Sequence, residues 1–336
     1  MGNLFVAKLA DAGSKGHFVW VQQAGSTSAA DVSALAVNGS SVYVAGYFHG
    51  RTAGFGPATL TNAGFINIFV AKLTDAGSTG RFVWAQQAGG TSVDQATALA
   101  VSGTSVYVAG YFSSPTAAFG SATLTTAGGN DVFVARLTDA GNTGRFVWAQ
   151  RTGGPNKEQA TALAVSGSSV YVTGYFGSST VAFGPAVLTS AGTTDLFVAK
   201  LTDAGRFVWA QRAGGVGVDI ARTMAVSGTS VYVAGDFRSP TADFGLATLT
   251  NALNTDYSPD VFVAKLADDG STGRFVWAQR AGGIGVEQAT SLAVSGTRMY
   301  VAGHFFSSPT TIFGATTLAN PSPSPYLGFL ASLIIP

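Results

Sequence analysis

The chain contains no cysteine, and only three histidines and three methionines in 336 residues. Without cysteine there are no disulfides, thiolate nucleophiles or thiolate metal sites. Charge is scarce as well: 10% of residues are charged and the net charge is +1. That balance offers no electrostatic basis for nucleic acid or an anionic membrane as partner. No apolar run approaches the roughly 20 residues that cross a bilayer as a helix, and no segment has a convincing 3.6-residue apolar period. Met1-Gly2-Asn3 leads straight into repeat sequence. With no basic stretch followed by an apolar one, any signal peptide is expected to be already removed or never present.

What the chain has is repetition. Trp20, Trp84, Trp148, Trp209 and Trp277 each sit in a Phe-Val-Trp triplet, at spacings of 64, 64, 61 and 68. Tyr43, Tyr107, Tyr171, Tyr232 and Tyr300 keep the same intervals. A fixed period of this size indicates stacked or radially arranged units, each too small to bury its own apolar face. Hydrophobic residues make up 46% of the chain and fall in short runs between Gly, Ser, Thr and Asn, far from a disordered composition.

The second unit gives the pattern. Residues 68–73 (Ile-Phe-Val-Ala-Lys-Leu) form a β-branched and aromatic run, read as a strand. A glycine-rich turn over 74–80 leads to a second strand over 81–87. Asp203-Ala204-Gly205 runs straight into Arg206, three residues shorter, and deletions are tolerated at hairpin tips. A small-residue strand over 96–102 and a fourth over 105–112 follow. A loop with Pro115 and Phe119-Gly120 and a short extended piece over 122–125 complete the unit. Several strands are apolar on both faces, as in 132–137, which indicates sheets covered on both sides. The Ala/Ser-rich strand suits a crowded innermost place and the Trp strand a broad outer edge.

The expected fold is therefore all-β: one domain over 1–336 forming a five-bladed β-propeller, four antiparallel strands per blade, closed by strands from both termini. The recurring Phe-Val-Ala-Lys-Leu, Phe-Val-Trp-Ala-Gln, Leu-Ala-Val-Ser-Gly and Val-Tyr-Val-Ala-Gly-Tyr-Phe segments resemble the bacterial β-propeller repeat of SBBP type over nearly the whole chain. That resemblance implies a propeller and an extracellular or cell-surface location, with no single activity attached.

The strand count is uneven. There are six copies of the Phe-Val-Ala-Lys-Leu strand and five of the other three, so Phe5 and Phe329 compete for one place in the last blade. The surplus copy over 327–333 either lies along an edge or frays, or completes a blade of a neighbouring molecule. Phe5, Phe329, Leu330 and Leu333 are the self-association candidates.

Asp94, Glu158, Asp219 and Glu287 recur ten residues after the Trp. They are expected near one mouth of a central channel, either solvated or capping turns, or holding a cation through oxygen ligands. Tyr47, Tyr111 and Tyr175 share a register place with Asp236 and His304. These rings either pack on the following Phe or stack against sugars in clefts between blades. The recurring Lys and Arg of the hairpins are expected either on a wet rim or paired with Asp75, Asp139, Asp203 and Asp268 nearby.

His17, His49 and His304 stand in unrelated places, and no metalloprotease, phosphate-loop or serine-elbow motif is present. No catalytic residue, metal or cofactor is assigned. The expected function is a non-catalytic surface scaffold, with itself as possible partner through strand exchange. A multivalent lectin for surface glycans is the second reading, and a hydrolase with paired acids the third.

Overall fold

The computed structural model describes residues 3–62, 64–253, 258–320 and 326–335. Met1 and Gly2, on which the absence of a signal segment was partly read, lie outside them. The described residues are all-β, with antiparallel pairing throughout the sheets and no helix. Four sheets contain the full set of four long strands. The second is built from Ala30–Asn38, Ser41–His49, Ile66–Asp75 and Gly80–Ala88. The third uses Asp94–Ser102, Ser105–Phe112, Asp131–Asp139 and Gly144–Thr152. The fourth uses Glu158–Ser166, Ser169–Phe176, Asp195–Thr202 and Phe207–Ala213. The fifth uses Asp219–Ser227, Ser230–Phe237, Asp260–Asp268 and Gly273–Gly283. In chain order these strands are inner, second, third and outer. Each pairs with the next, and the inner strands pack on one another from sheet to sheet within a unit. Their Ala and Ser side chains permit that close approach.

The first and last sheets are partial. Asn3–Asp11 pairs only with Gly16–Ser26, giving a third and an outer strand. Val286–Ser295, Arg298–Phe306 and Leu327–Ile334 give an inner, a second and a third strand. The expected competition between Phe5 and Phe329 thus resolves differently, because each copy keeps a sheet of its own. Gly303 stands opposite Phe329, as Gly235 stands opposite Phe262. The blade expected to combine strands from both termini is not among the sheets of the described residues.

The chain also divides into two compact units, Met1–Arg151 and Thr152–Pro336. In a repeat array each element touches chiefly its neighbours, so a division falls between sheets without any change of composition.

A bulge explains the Phe-Val-Trp triplet. Leu73 stands opposite Phe82 but Lys72 stands opposite Trp84, so Val83 is an extra residue. Adjacent residues of a strand face opposite ways, and residues directly opposite share a face. The bulge therefore sends Phe82 to one side of the sheet and Trp84 to the other, although they are two residues apart. The first, fourth and fifth sheets repeat the shift at Lys8/Leu9, Lys200/Leu201 and Lys265/Leu266. A second bulge makes Thr97 the extra residue of the inner strand. Gly110 sits across from it, and a Cβ there would press into the Gln95 carbonyl oxygen, so this place takes glycine.

The presumed loop with Pro115 is a hairpin of its own, Thr116–Phe119 with Ala122–Thr125. It bonds to the end of the preceding outer strand through Gly89 and Ala118. Its Phe119 enters the next sheet, 4.9 Å from the Phe133 ring and 5.7 Å from Phe146. Phe55, Phe183 and Phe244 make the same two ring contacts in their own sheets.

Candidate functional site

Most of the repeated polar residues hold sheets together. Asp139, in the third sheet, accepts from three side chains of the second: Tyr43 Oη at 2.5 Å, Lys72 Nζ at 2.6 Å and Trp84 Nε1 at 3.1 Å. The Gly141 amide donates to it as well. Asp268 receives Tyr171, Lys200, Trp209 and Gly270 in the same way. Lys72 and Asp139 are buried, as are Lys200 and Asp268, so the expected wet rim does not hold for these lysines. Arg81, Arg145, Arg206 and Arg274, by contrast, are exposed. Each lysine pairs with the aspartate of the next repeat rather than its own, because the twist of stacked sheets brings the next hairpin over the Trp face. Burial alone would raise the Asp139 and Asp268 carboxyls, but the bonds from Lys, Tyr and Trp outweigh it and hold both below the usual aspartate value. Burial, then the bond to aspartate, pushes the Tyr43 and Tyr171 hydroxyls up to about 12. The Asp75 version, with Lys8 and Trp20, is more open. In the sixth sheet Ile335 stands at the aspartate place, and the Trp277 Nε1 has no partner.

Asp94, Glu158, Asp219 and Glu287 are fully buried rather than solvated. Asp94 accepts from the Gly90 amide, the Ser113 and Ser114 amides and the Ser114 hydroxyl. Asp219 does the same with Gly215, Arg238 and Ser239. Glu158 holds the Gly154 and Ser178 amides, and Glu287 accepts from Thr311. The carboxylates thus tie the turn before the inner strand to the turn after the second strand. Burial pushes the Asp219 and Glu287 carboxyls up. Among the described residues, no group of three or more His, Cys, Asp or Glu is arranged to hold a metal ion. A neighbouring place carries Asp131, Asp195 and Asp260, paired with Arg151, Arg212 and Arg280 at 2.6, 3.3 and 2.8 Å. Where that place holds Asn3 or Asn67, the partner place holds Gln23 or Gln87. This matched exchange is visible in the sequence and is a signal that motif searching passes over.

Tyr47, Tyr111 and Tyr175 are half-buried, and each following Phe is fully buried on the opposite face of the strand. Packing of each tyrosine on its own neighbouring Phe is therefore ruled out. Tyr175 donates to Gln159 Oε1 at 2.7 Å, and Tyr47 meets His49 edge-on at 5.9 Å. Asp236, at the same register place, is fully buried and accepts from Arg222 Nε. Its second oxygen has no partner. Burial raises the Asp236 carboxyl against the opposing pull of Arg222, Arg238 and His304. His304 is half-buried, with the Tyr326 ring at 5.2 Å. Arg222 and Arg238 were not singled out from the sequence. Their signal is departure from the sister repeats, which carry Thr97 and Thr161 in one place and Ser113 and Gly177 in the other.

The terminal candidates divide. Phe329 is buried, with Phe313 at 4.8 Å, Leu333 is half-buried, and Leu330 is 73% exposed. Phe5 is 69% exposed, whereas its equivalents Phe69, Phe133, Phe197 and Phe262 are at 0%. Phe18 is 65% exposed where Phe82, Phe146 and Phe275 are each at 5%. In the last sheet a cavity of about 250 Å³ opens beside Phe313, Leu318, Leu330 and Leu333. The hairpin ring Phe313 has Phe329 against it, but the described residues supply no counterpart of Phe146.

No family model matches this chain, and no curated protein does. Among solved structures it is similar to a Lactobacillus plantarum protein determined as a structural-genomics target. That match has 14% identity and a TM-score of 0.50, and covers 99% of this chain and 82% of the other. The likeness concerns fold alone.

Proposed function

We propose that the chain is a non-catalytic binding scaffold of SBBP-like, β-propeller type, acting at a bacterial cell surface and self-associating by strand exchange. The supporting observation is a complementary pair of defects. Leu327–Ile334 is bonded on one side only, next to a cavity at the place of an outer-strand phenylalanine. Gly16–Ser26 is an outer strand whose Phe18 is exposed. Asn3–Asp11 and Leu327–Ile334 are copies of one strand, so Gly16–Ser26 of a second copy fits either with the same register. Trp20, now opposite Lys8, would stand opposite Ser332, and Phe18 opposite Leu333, a lining residue of the cavity. The exchange would complete a five-bladed repeat array across molecules. Most of the repeated acids support the scaffold reading, because they hold strands and sheets together; Asp131, Asp260 and Glu287 each keep one oxygen without a partner among the described residues.

The cysteine-free background makes the test direct. Val21 stands opposite Ala7, whose copy is Ala331. Chains carrying V21C are mixed with chains carrying A331C under oxidising conditions. A cross-linked heterodimer is expected, and Phe18→Ser is expected to abolish it without changing the fold, because Phe18 is exposed. Absence of the heterodimer sinks the proposal. So does an intramolecular bridge in the V21C/A331C double variant of a chain that stays monomeric by light scattering, since that outcome closes the five blades within one molecule.

A further inference from the structure

The repeats are close copies, so a place where one departs at several positions together marks selection for something other than packing. In the inner half of the fifth sheet four such places change together; the first repeat, with Asp31, Ser33 and His49, changes three of them. Ile220, Arg222, Asp236 and Arg238 stand where the third-sheet repeat has Gln95, Thr97, Tyr111 and Ser113. The fourth-sheet repeat has Gln159, Thr161, Tyr175 and Gly177 at those places. The four changes are scattered in sequence but adjacent in the fold, since Ile220 pairs directly with Asp236 and Arg222 is the bulged residue beside them.

The geometry of this cluster is unlike that of the interlocking acids. Asp236 fixes the Arg222 guanidinium through Nε, yet the Arg222 side chain remains 31% exposed. The side chain is thus held by a buried carboxylate and still partly open to solvent. Among the described residues the second Asp236 oxygen is buried with no donor and Arg238 Nε is buried with no acceptor, as single oxygens of Asp131, Asp260 and Glu287 are elsewhere. Buried polar atoms without partners are rare and call for an explanation. Two guanidinium groups against one carboxylate leave the cluster positive. Tyr175, from the fourth sheet, feels the Arg222 charge, and His304, from the sixth, feels Asp236. Three consecutive sheets of the second unit therefore converge here.

We propose that Arg222, Asp236 and Arg238 form a binding site for a small polyhydroxylated oxyanion, a sugar acid or sugar phosphate, flanked by Tyr175 and His304. The oxyanion accepts from the guanidinium groups, which match planar oxygen pairs. A neighbouring hydroxyl donates to the unpartnered Asp236 oxygen, and the half-buried Tyr175 ring offers an apolar flank to a sugar face. One such site is present in the second unit, in place of the one-per-blade arrangement expected for a multivalent lectin. This proposal is independent of strand exchange.

Calorimetric titration with glucuronate, glucose 6-phosphate and neutral glucose tests it. Saturable binding of at least one charged sugar is expected, and which one binds distinguishes the two sources of the oxyanion. Glucose should bind roughly tenfold more weakly or worse, the loss of one charge-assisted hydrogen bond. The variant I220Q/R222T/D236Y/R238S introduces the residues of the third-sheet repeat, a combination that the corresponding strands of that sheet already carry. It should melt like the parent and bind at least roughly tenfold more weakly. Arg238→Gln, which leaves the Arg222–Asp236 pair in place, should weaken binding in the same direction. Silence with both charged sugars, equal binding of glucose, or undiminished binding by the two variants would each overturn the assignment.

Discussion

Replacing Asp139 by alanine removes one carboxylate and strands four donors: Tyr43 Oη, Lys72 Nζ, Trp84 Nε1 and the Gly141 amide. The largest consequence is electrostatic. Lys72 is only 6% exposed, so its ammonium loses its counter-charge without gaining water. Breaking a buried pair from one side costs about 3–5 kcal/mol. That is a large fraction of ordinary domain stability, so the first unit is expected to unfold at visibly lower urea. The molecule contains its own control. Asp75 is bound by Lys8 and Trp20 in the same pattern, but Lys8 is 34% exposed and can recover hydration. Asp75→Ala should therefore cost a small part of the Asp139→Ala loss. A second control isolates the charge: adding Lys72→Met to Asp139→Ala should restore stability, because the stranded ammonium is gone. Urea unfolding followed by tryptophan fluorescence measures all four proteins. Equal losses for Asp75→Ala and Asp139→Ala, or no recovery in the K72M/D139A double variant, would refute the reasoning.

The same interlock makes stability fall at both ends of the pH scale. Tyr43 and Tyr171 are raised to about 12 from 10.0, so their contribution is complete below pH 10 and is lost as pH rises through 12. Asp139 and Asp268 are lowered from 3.8, so theirs is complete above that value and is lost as pH falls through the folded one. Melting curves across pH should show both declines, and Tyr43→Phe should reduce the alkaline one; an unchanged alkaline limb in that variant would refute the assignment. Phe119→Ala should cost about 3–5 kcal/mol in a denaturant titration, because the ring is fully buried between two others. Gly110→Ala should cost about 1–3 kcal/mol by the same measurement, since the added methyl meets the Gln95 carbonyl across the bulge.

Strand identity was readable because the runs are apolar on both faces and punctuated by glycine. The four long strands of a unit lie within a residue or two of where pattern alone places them. Only half of the hairpin at Pro115 was readable: the extended piece over 122–125 was, and its partner Thr116–Phe119 was not. Four-residue strands have too few positions to show alternation, and Gly120 looks like loop punctuation. The bulge escaped for a related reason: a triplet of three apolar residues gives no sign that its first and third members face opposite ways. Pairing of hairpin lysines with Asp75, Asp139 and Asp268 was legible, but not that each lysine takes the aspartate of the next repeat, as Lys72 takes Asp139. Of the readings offered for the recurring acids, turn-capping stands and solvation does not, although aspartate and glutamate are usually exposed. What reversed that was the supply of backbone amides around each one, which no residue pattern announces. The Arg222–Asp236–Arg238 cluster was half visible, through Asp236 alone, and became a site only when the bulge placed Arg222 beside it.

The interlock joins side chains of one copy to an aspartate of the copy after it, so the smallest self-sufficient piece of this chain straddles two copies. Lengthening or shortening the array by one whole period leaves every handshake intact, while a cut at any other phase leaves a lysine buried with nothing to hold. Growth by entire periods is therefore built into the chemistry of the joints, and a designer adding segments should splice at the same phase in two successive hairpin tips.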